Sequence, residues 1–267
     1  MILVKFYQKV RSALAWRKQN LRAKVLRCWI LHLKSQPMLS NQKPAIVFAP
    51  HPDDETLGCG GMIALKRQQG VPVWVVFMTD GQDSQFNHER IKTIAELVEI
   101  RKHEALAALN TLGVQSSEIH FLDLPDGSLP ALPEAKRQQV VEQLVELLKM
   151  THAQEVYVTY RKEIHPDHQE TYALVRSAIL QSQQALELIQ YPVWANWRPQ
   201  QIDFKAAEIE NVYRLAIAGT RDKKIQALDA YRSQYLPLKP GAKPPLPPGF
   251  LKWFASPYEI FFKVPDQ

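Results

Sequence analysis

Cysteine is nearly absent from the 267 residues: Cys28 and Cys59 are the two in the chain. Two thiols make no disulfide framework, so the fold must rest on a packed core, and a reducing compartment is expected. Acid is missing from residues 1–43, which hold ten Lys or Arg and no Asp or Glu. The other 23 of the 33 basic residues face all 27 acidic ones, so the body is mildly acidic although the whole chain carries +6. Basicity confined to an arm argues against a nucleic-acid-binding surface, and no nucleic-acid partner is expected. No apolar run approaches the ~20 residues of a spanning helix. The opening Met-Ile-Leu-Val-Lys lacks the order of a secretory leader, so the expected location is cytoplasmic. Also lacking is a Gly-x-Gly-x-x-Gly directly after a strand-like run, which excludes the usual dinucleotide fingerprint.

What is there begins with the arm. Residues 2–36 read as one cationic amphipathic helix, with Val4, Val10, Leu14, Leu21, Val25, Trp29 and Leu33 near helical spacing among Lys and Arg. Such a helix either lies on an anionic membrane surface, at the inner face of the membrane, or packs on the domain. Ser35–Lys43 reads as a linker, which divides the chain into an arm, 1–43, and a domain, 44–267. In the domain, strand-like runs at 45–49, 71–79, 119–122, 155–159 and 186–191 alternate with helical segments at 60–69, 89–112, 133–150 and 167–183. This order predicts an α/β fold, a doubly wound, mostly parallel, Rossmann-like sheet flanked by helices. Beyond it come a strand at 211–218, a helix at 220–235 and a terminal strand at 258–264. Between the last two, residues 236–249 carry six prolines and two glycines and read as a stiff loop.

The chemistry gathers at two strand ends. After the first run stands His51-Pro52-Asp53-Asp54-Glu55, followed by what reads as a Gly-rich turn around Gly58, Gly60 and Gly61. After the run at 155–159 stands His165-Pro166-Asp167-His168. The C-terminal edge of a parallel sheet is where ligands bind. A catalytic zinc keeps three protein ligands and one open position, and His51, Asp54 and His168 can supply the three. Zn2+ is therefore the expected cofactor, with another divalent metal such as Fe2+ as the alternative. Asp53, beside a ligand, is left as general base, and His165 as the group that stabilises an oxyanion or protonates a leaving amine. Asp80, Asp83, Arg101 and Glu55 complete the candidate substrate-binding pocket. Arg101 is alternatively a structural ion pair, and Glu55 alternatively a partner for backbone N–H groups. Trp194 and Trp197 read either as a sugar-stacking wall or as packing.

Pro-His-Pro-Asp-Asp-Glu with His-Pro-Asp-His about 110 residues later resembles the PIG-L or LmbE-like family of zinc-dependent N-acetylglucosaminyl deacetylases. Thr79-Asp80-Gly81, Arg101, Glu104, Leu112-Gly113, Pro125-Asp126-Gly127, Lys224 and Ser233-Gln234 are similar to further family positions, so the resemblance spans about 44–235. It implies a hydrolase for the acetamide of a GlcNAc-like glycoside in glycolipid, lipopolysaccharide or polysaccharide assembly, or of a small GlcNAc-thiol conjugate. It carries the metal ligands to His51, Asp54 and His168, the base to Asp53 and the electrostatic role to His165. Glu163 departs from the pattern where an aromatic or Asp often assists the oxyanion, with Tyr160 as a candidate substitute. Two other classes compete. His51-x-Asp53 with a distant His also fits a non-haem iron oxygenase, although those sites sit in β-barrels. A non-catalytic membrane adaptor would use the arm alone.

Overall fold

The computed structural model describes residues 2–82, 93–237 and 243–263. One eight-stranded sheet runs through it, in the order β1-β7-β8-β6-β5-β2-β3-β4. The strands are β1 (Gln36–Met38), β2 (Ala45–Ala49), β3 (Val73–Thr79), β4 (Ile119–Leu124), β5 (Glu155–Thr159), β6 (Glu187–Tyr191), β7 (Val212–Ala216) and β8 (Tyr258–Lys263). Among the described residues every strand pairing is parallel except those of β8 with β6 and β7. All five residues of β2 and of β5 are buried, as expected of central strands covered on both faces. Alternate β2 residues point to opposite sides. Ala45, Val47 and Ala49 join a core with α2 (Asp54–Gln68), α3 (Ile94–Leu112) and α8 (Arg221–Leu228), and Ile46 and Phe48 join a second with α4 (Glu134–Thr151) and α5 (Pro166–Ser182). The doubly wound expectation holds.

Three elements differ from their sequence reading. The glycines after Glu55 form no turn: α2 starts at Asp54 and carries Gly58, Gly60 and Gly61 in its interior. A Cβ at Gly58 would lie 2.1 Å from Tyr191 Cδ2, and one at Gly61 2.5 Å from Ile217 Cδ1. Close packing on the sheet therefore outweighs the weak helix propensity of glycine, roughly 1 kcal/mol per residue. The segment read as a linker contributes β1, parallel to β7 at the sheet edge. The single late helix is two, α8 and α9 (Arg232–Tyr235). The first residues of the expected helix at 89–112 and the last of the expected strand at 258–264 lie outside the described residues.

The arm is helical over α1 (Ile2–Trp29) and ends in one π turn, Ile30–Lys34, closed by Ser35 N–H donating to Ile30 O at 2.8 Å. Ile30 and Leu31 pack with Tyr160, Val212, Ile260 and Phe262 in a third, smaller core, and Ala23 is buried as well. Leu14, Leu21, Val25 and Leu33, from the expected apolar stripe, are 60%, 64%, 61% and 74% exposed. The side of α1 that meets the domain is thus not the stripe that the spacing picks out.

Candidate active site

β2 and β5 are neighbours in register, Ala45 opposite Glu155 and Val47 opposite Tyr157. The two polar clusters therefore leave the sheet side by side at its C-terminal edge. His51 Nδ1, Asp54 Oδ2 and His168 Nε2 form a triangle with edges of 3.1, 3.2 and 3.3 Å. Ligand atoms ~2.0–2.1 Å from a tetrahedral zinc stand ~3.3–3.4 Å apart, so the triangle matches one face of such a site. The donor set, two imidazoles and a carboxylate, suits a borderline cation. Each donor is buried: His51 8%, Asp54 3% and His168 0% exposed.

The reverse side of His51 is braced by carboxylates that sequence reasoning left unassigned. Its Nε2 lies 2.9 Å from Asp126 Oδ1 and 3.3 Å from Asp167 Oδ2. A proton held there fixes Nδ1 as the free lone pair facing the triangle. Asp167 also accepts from the N–H groups of Gly127 (2.7 Å) and Leu129 (3.2 Å), tying the loop after β4 to the start of α5. The Pro125-Asp126-Gly127 motif was the available signal, but spacing alone gives no link to a histidine 75 residues earlier.

Asp53 and Asp54 are adjacent and their environments push them apart. Burial raises the pKa of Asp53 well above the carboxylate range, helped by the charge of Asp54. Burial acts in the same direction on Asp54, but His168 and His51 outweigh it and hold Asp54 low. One carboxylate stays ionised, as a metal ligand must be, while its neighbour is suited to take a proton. The Asp53 backbone is strained, at φ 134° and ψ −28°, a region that L residues rarely occupy. Glu55 holds it there. Fully buried, it accepts the Asp53 N–H at 3.1 Å and the hydroxyls of Thr56 and Tyr231, and burial lifts its pKa to about 7. Glu55 thus lies beneath the site as a partner for backbone.

Arg101, 2% exposed, donates to Pro52 O at 2.7 Å and Gly81 O at 2.6 Å, and stands 3.9 Å from Asp53 Oδ1. It braces the loop of Asp53 and also lines the pocket. Gly81 is glycine for a visible reason: φ is +67° and a Cβ would meet Arg101 Nη1 at 2.4 Å. Asp80 accepts from the N–H groups of Gln82 (3.1 Å) and Asp126 (3.2 Å), holding two loops together. Asp83 lies outside the described residues.

The pocket over the triangle has a volume of about 350 Å3. Asp53 and His165 sit on its polar side, and Trp194, Leu246 and Phe250 make its apolar wall. His165 accepts the Asp167 N–H at Nδ1 (3.2 Å), which leaves its proton on Nε2. Burial, followed by the neighbouring His51 and His168, lowers its pKa to about 4, so the ring is a neutral hydrogen-bond donor. The two tryptophans divide: Trp194 is pocket wall, whereas Trp197 is 6% exposed and packs against Phe250 and Trp253, with both ring distances 5.2 Å. Glu163 accepts from Val193 N–H (2.6 Å) and Ala195 N–H (3.2 Å), anchoring the loop that presents Trp194, and its Oε2 lies 3.9 Å from His168 Nδ1. Tyr160 stacks on Phe262 at 4.4 Å in the third core and does not line the pocket. Gln234 does, on a segment pinned by Ser233 Oγ donating to Glu104 at 2.6 Å.

The chain is 26% identical over 199 residues, 74% of its length and 84% of the relative's, to a Bacillus anthracis protein named probable N-acetyl-alpha-D-glucosaminyl L-malate deacetylase 2. It is 30% identical to the diacetylchitobiose deacetylase of Thermococcus kodakarensis over 138 residues, 52% of this chain and 49% of that one. Among solved structures, the N,N'-diacetylchitobiose deacetylase of Pyrococcus horikoshii superposes with a TM-score of 0.58 at 25% identity, over 72% of this chain and 70% of that one. A family model described as PIG-L: GlcNAc-PI de-N-acetylase matches residues 46–179, half the chain and the segment that holds all three corners of the triangle, and the chain belongs to that family.

Proposed function

We propose that the protein hydrolyses the acetamide of a GlcNAc-like glycoside, with a divalent cation, zinc, held by His51, Asp54 and His168. The observation that carries this is the triangle of ligand atoms with Asp53 beside it on the pocket wall. A cation held there supplies a Lewis acid that polarises the amide carbonyl and acidifies water. Asp53 takes the proton of the attacking water and is positioned by Glu55 and Arg101. His165, neutral with its proton on Nε2, donates a hydrogen bond to the oxygen on which charge develops. Trp194, Leu246 and Phe250 shield the reacting amide from bulk water and offer an apolar face to the sugar ring.

The relatives' names support the substrate class. The deacetylases among them differ in aglycone, malate, inositol or a second sugar, and share an N-acetylglucosamine unit. The reading places the protein in glycolipid or polysaccharide assembly, with a small GlcNAc conjugate as the alternative. No described helix is long and apolar enough to cross a membrane. Diacetylchitobiose is the soluble probe. Protein stripped with chelator should release no acetate, and one equivalent of zinc should restore release of acetate and free amine in equal amounts. Turnover that is indifferent to chelation, or amine without acetate, would refute the reading.

A further inference from the structure

A second cleft, of about 810 Å3, opens between α1 and the turn carrying α10 (Phe250–Phe254). Arg17, Lys24, Arg27 and Lys252 line it beside Trp16 and Trp253, and no Asp or Glu is among its lining residues. None of the four basic groups has a carboxylate partner among the described residues. Arg27 is held in place all the same. Its Nε donates to Asn196 Oδ1 at 3.1 Å, its guanidinium lies 5.1 Å over the Trp253 ring, and Trp253 Nε1 donates to Asn196 O at 3.1 Å. Burial without a counter-charge pulls the Arg27 pKa down. This is a pre-positioned cation lacking an anion.

We infer that the cleft seats the phosphate headgroup of an anionic phospholipid, and that Leu14, Leu21 and Val25 on the exposed side of α1 enter the adjoining acyl layer. Charge complementarity selects the occupant: Arg and Lys heads suit phosphate oxygens, and tryptophans prefer the boundary between headgroup and hydrocarbon. The side chains that would enter the bilayer are among the most exposed large apolar groups described, at 60%, 64% and 61%. The attraction is local, because ten basic residues and no acid occupy 1–43 while the rest of the chain is net acidic. One aromatic layer separates the cleft from the catalytic pocket: Phe250 packs on the pocket wall Trp194 at 4.9 Å and on the cleft wall Trp197 at 5.2 Å. A docked protein therefore holds its pocket next to the lipid surface.

The test is sedimentation of the full chain with phosphatidylcholine vesicles, alone or mixed with phosphatidylglycerol, at about 0.15 M salt. Binding to the mixed vesicles alone is expected. The triple variant Arg17→Glu, Lys24→Glu, Lys252→Glu should weaken it at least about tenfold, since each basic group near an anionic surface contributes appreciably. The same charge change at exposed positions that do not line the cleft, Lys136→Glu, Lys149→Glu, Lys223→Glu, should leave binding within about twofold. No binding to mixed vesicles, equal loss in both triple variants, or full release by millimolar inorganic phosphate at constant ionic strength would overturn the inference. Diacetylchitobiose turnover, expected to be unchanged in the cleft variant, verifies that the variant is folded. It also separates a failure of docking from a failure of the deacetylase reading.

Discussion

Asp53 shows how surroundings set one residue apart from its neighbours. It sits between two neighbours of the same charge type, yet Asp54 is drawn to the imidazoles and Glu55 turns back to bind the Asp53 N–H. The strained backbone at φ 134° is held by that bond and by Arg101 on Pro52 O. Glu55→Ala should leave the Asp53 N–H and the Thr56 and Tyr231 hydroxyls without an acceptor in a buried site. Because unsatisfied buried donors cost ~1–3 kcal/mol, a stability loss of that order is expected in urea unfolding, with kcat on diacetylchitobiose falling more than KM changes. That the two adjacent carboxylates would have different surroundings was legible in the sequence, because one of the pair is left over once three metal-ligating positions are counted. The bracing of His51 by Asp126 and Asp167 was not, because contacts across 75 and 116 residues leave no local trace.

At the scale of elements, α2 carries Asp54, one corner of the triangle, and its glycines set how closely it lies on the sheet. Gly58→Ala places a methyl group against the fully buried Tyr191 ring, whose hydroxyl donates to Phe48 O on β2 at 2.8 Å. Overpacking of this kind costs ~1–3 kcal/mol, so the urea midpoint should fall with an unchanged m-value. The start of α2 escaped the sequence reading for the same reason: glycine signals a turn locally, and the tertiary contact with Tyr191 and Ile217 decides otherwise. β1 escaped because three residues with a proline form a strand only when β7 offers an edge. β2 and β5 were legible to the residue, being short apolar runs bounded by proline or loop. A different element, α7 (Ala206–Glu210), is closed at its start by Glu208, which accepts from Lys205 N–H (2.9 Å), Lys162 Nζ (2.7 Å) and Arg161. Burial would raise the Glu208 pKa, but these partners lower it to about 2 from 4.5. Its stabilising contribution is therefore complete above pH ~4.5 and lost as pH falls toward ~2. Glu208→Gln should be less stable than the parent at pH 7 in thermal unfolding, and the gap should close as the pH is lowered through that window.

For the whole molecule, topology does what neither motif does alone. The α/β winding puts β5 next to β2, so two clusters some 110 residues apart close one triangle, and the proline-rich segment returns Leu246 to cap it. The sequence order of strands and helices was enough to place both clusters on one sheet edge. The tail's contribution to the pocket wall was not readable, because proline spacing says that a loop is stiff and nothing about where it lands. The central claim is that this one site hydrolyses an amide with Asp53 as its base. The measurement that tests it most directly is acetate release from diacetylchitobiose by Asp53→Asn, with bound zinc determined on the same sample. One zinc per chain, with kcat reduced ~10²–10⁴-fold, is the expected result. Acetate release at the parent rate from a fully zinc-loaded Asp53→Asn protein would contradict it.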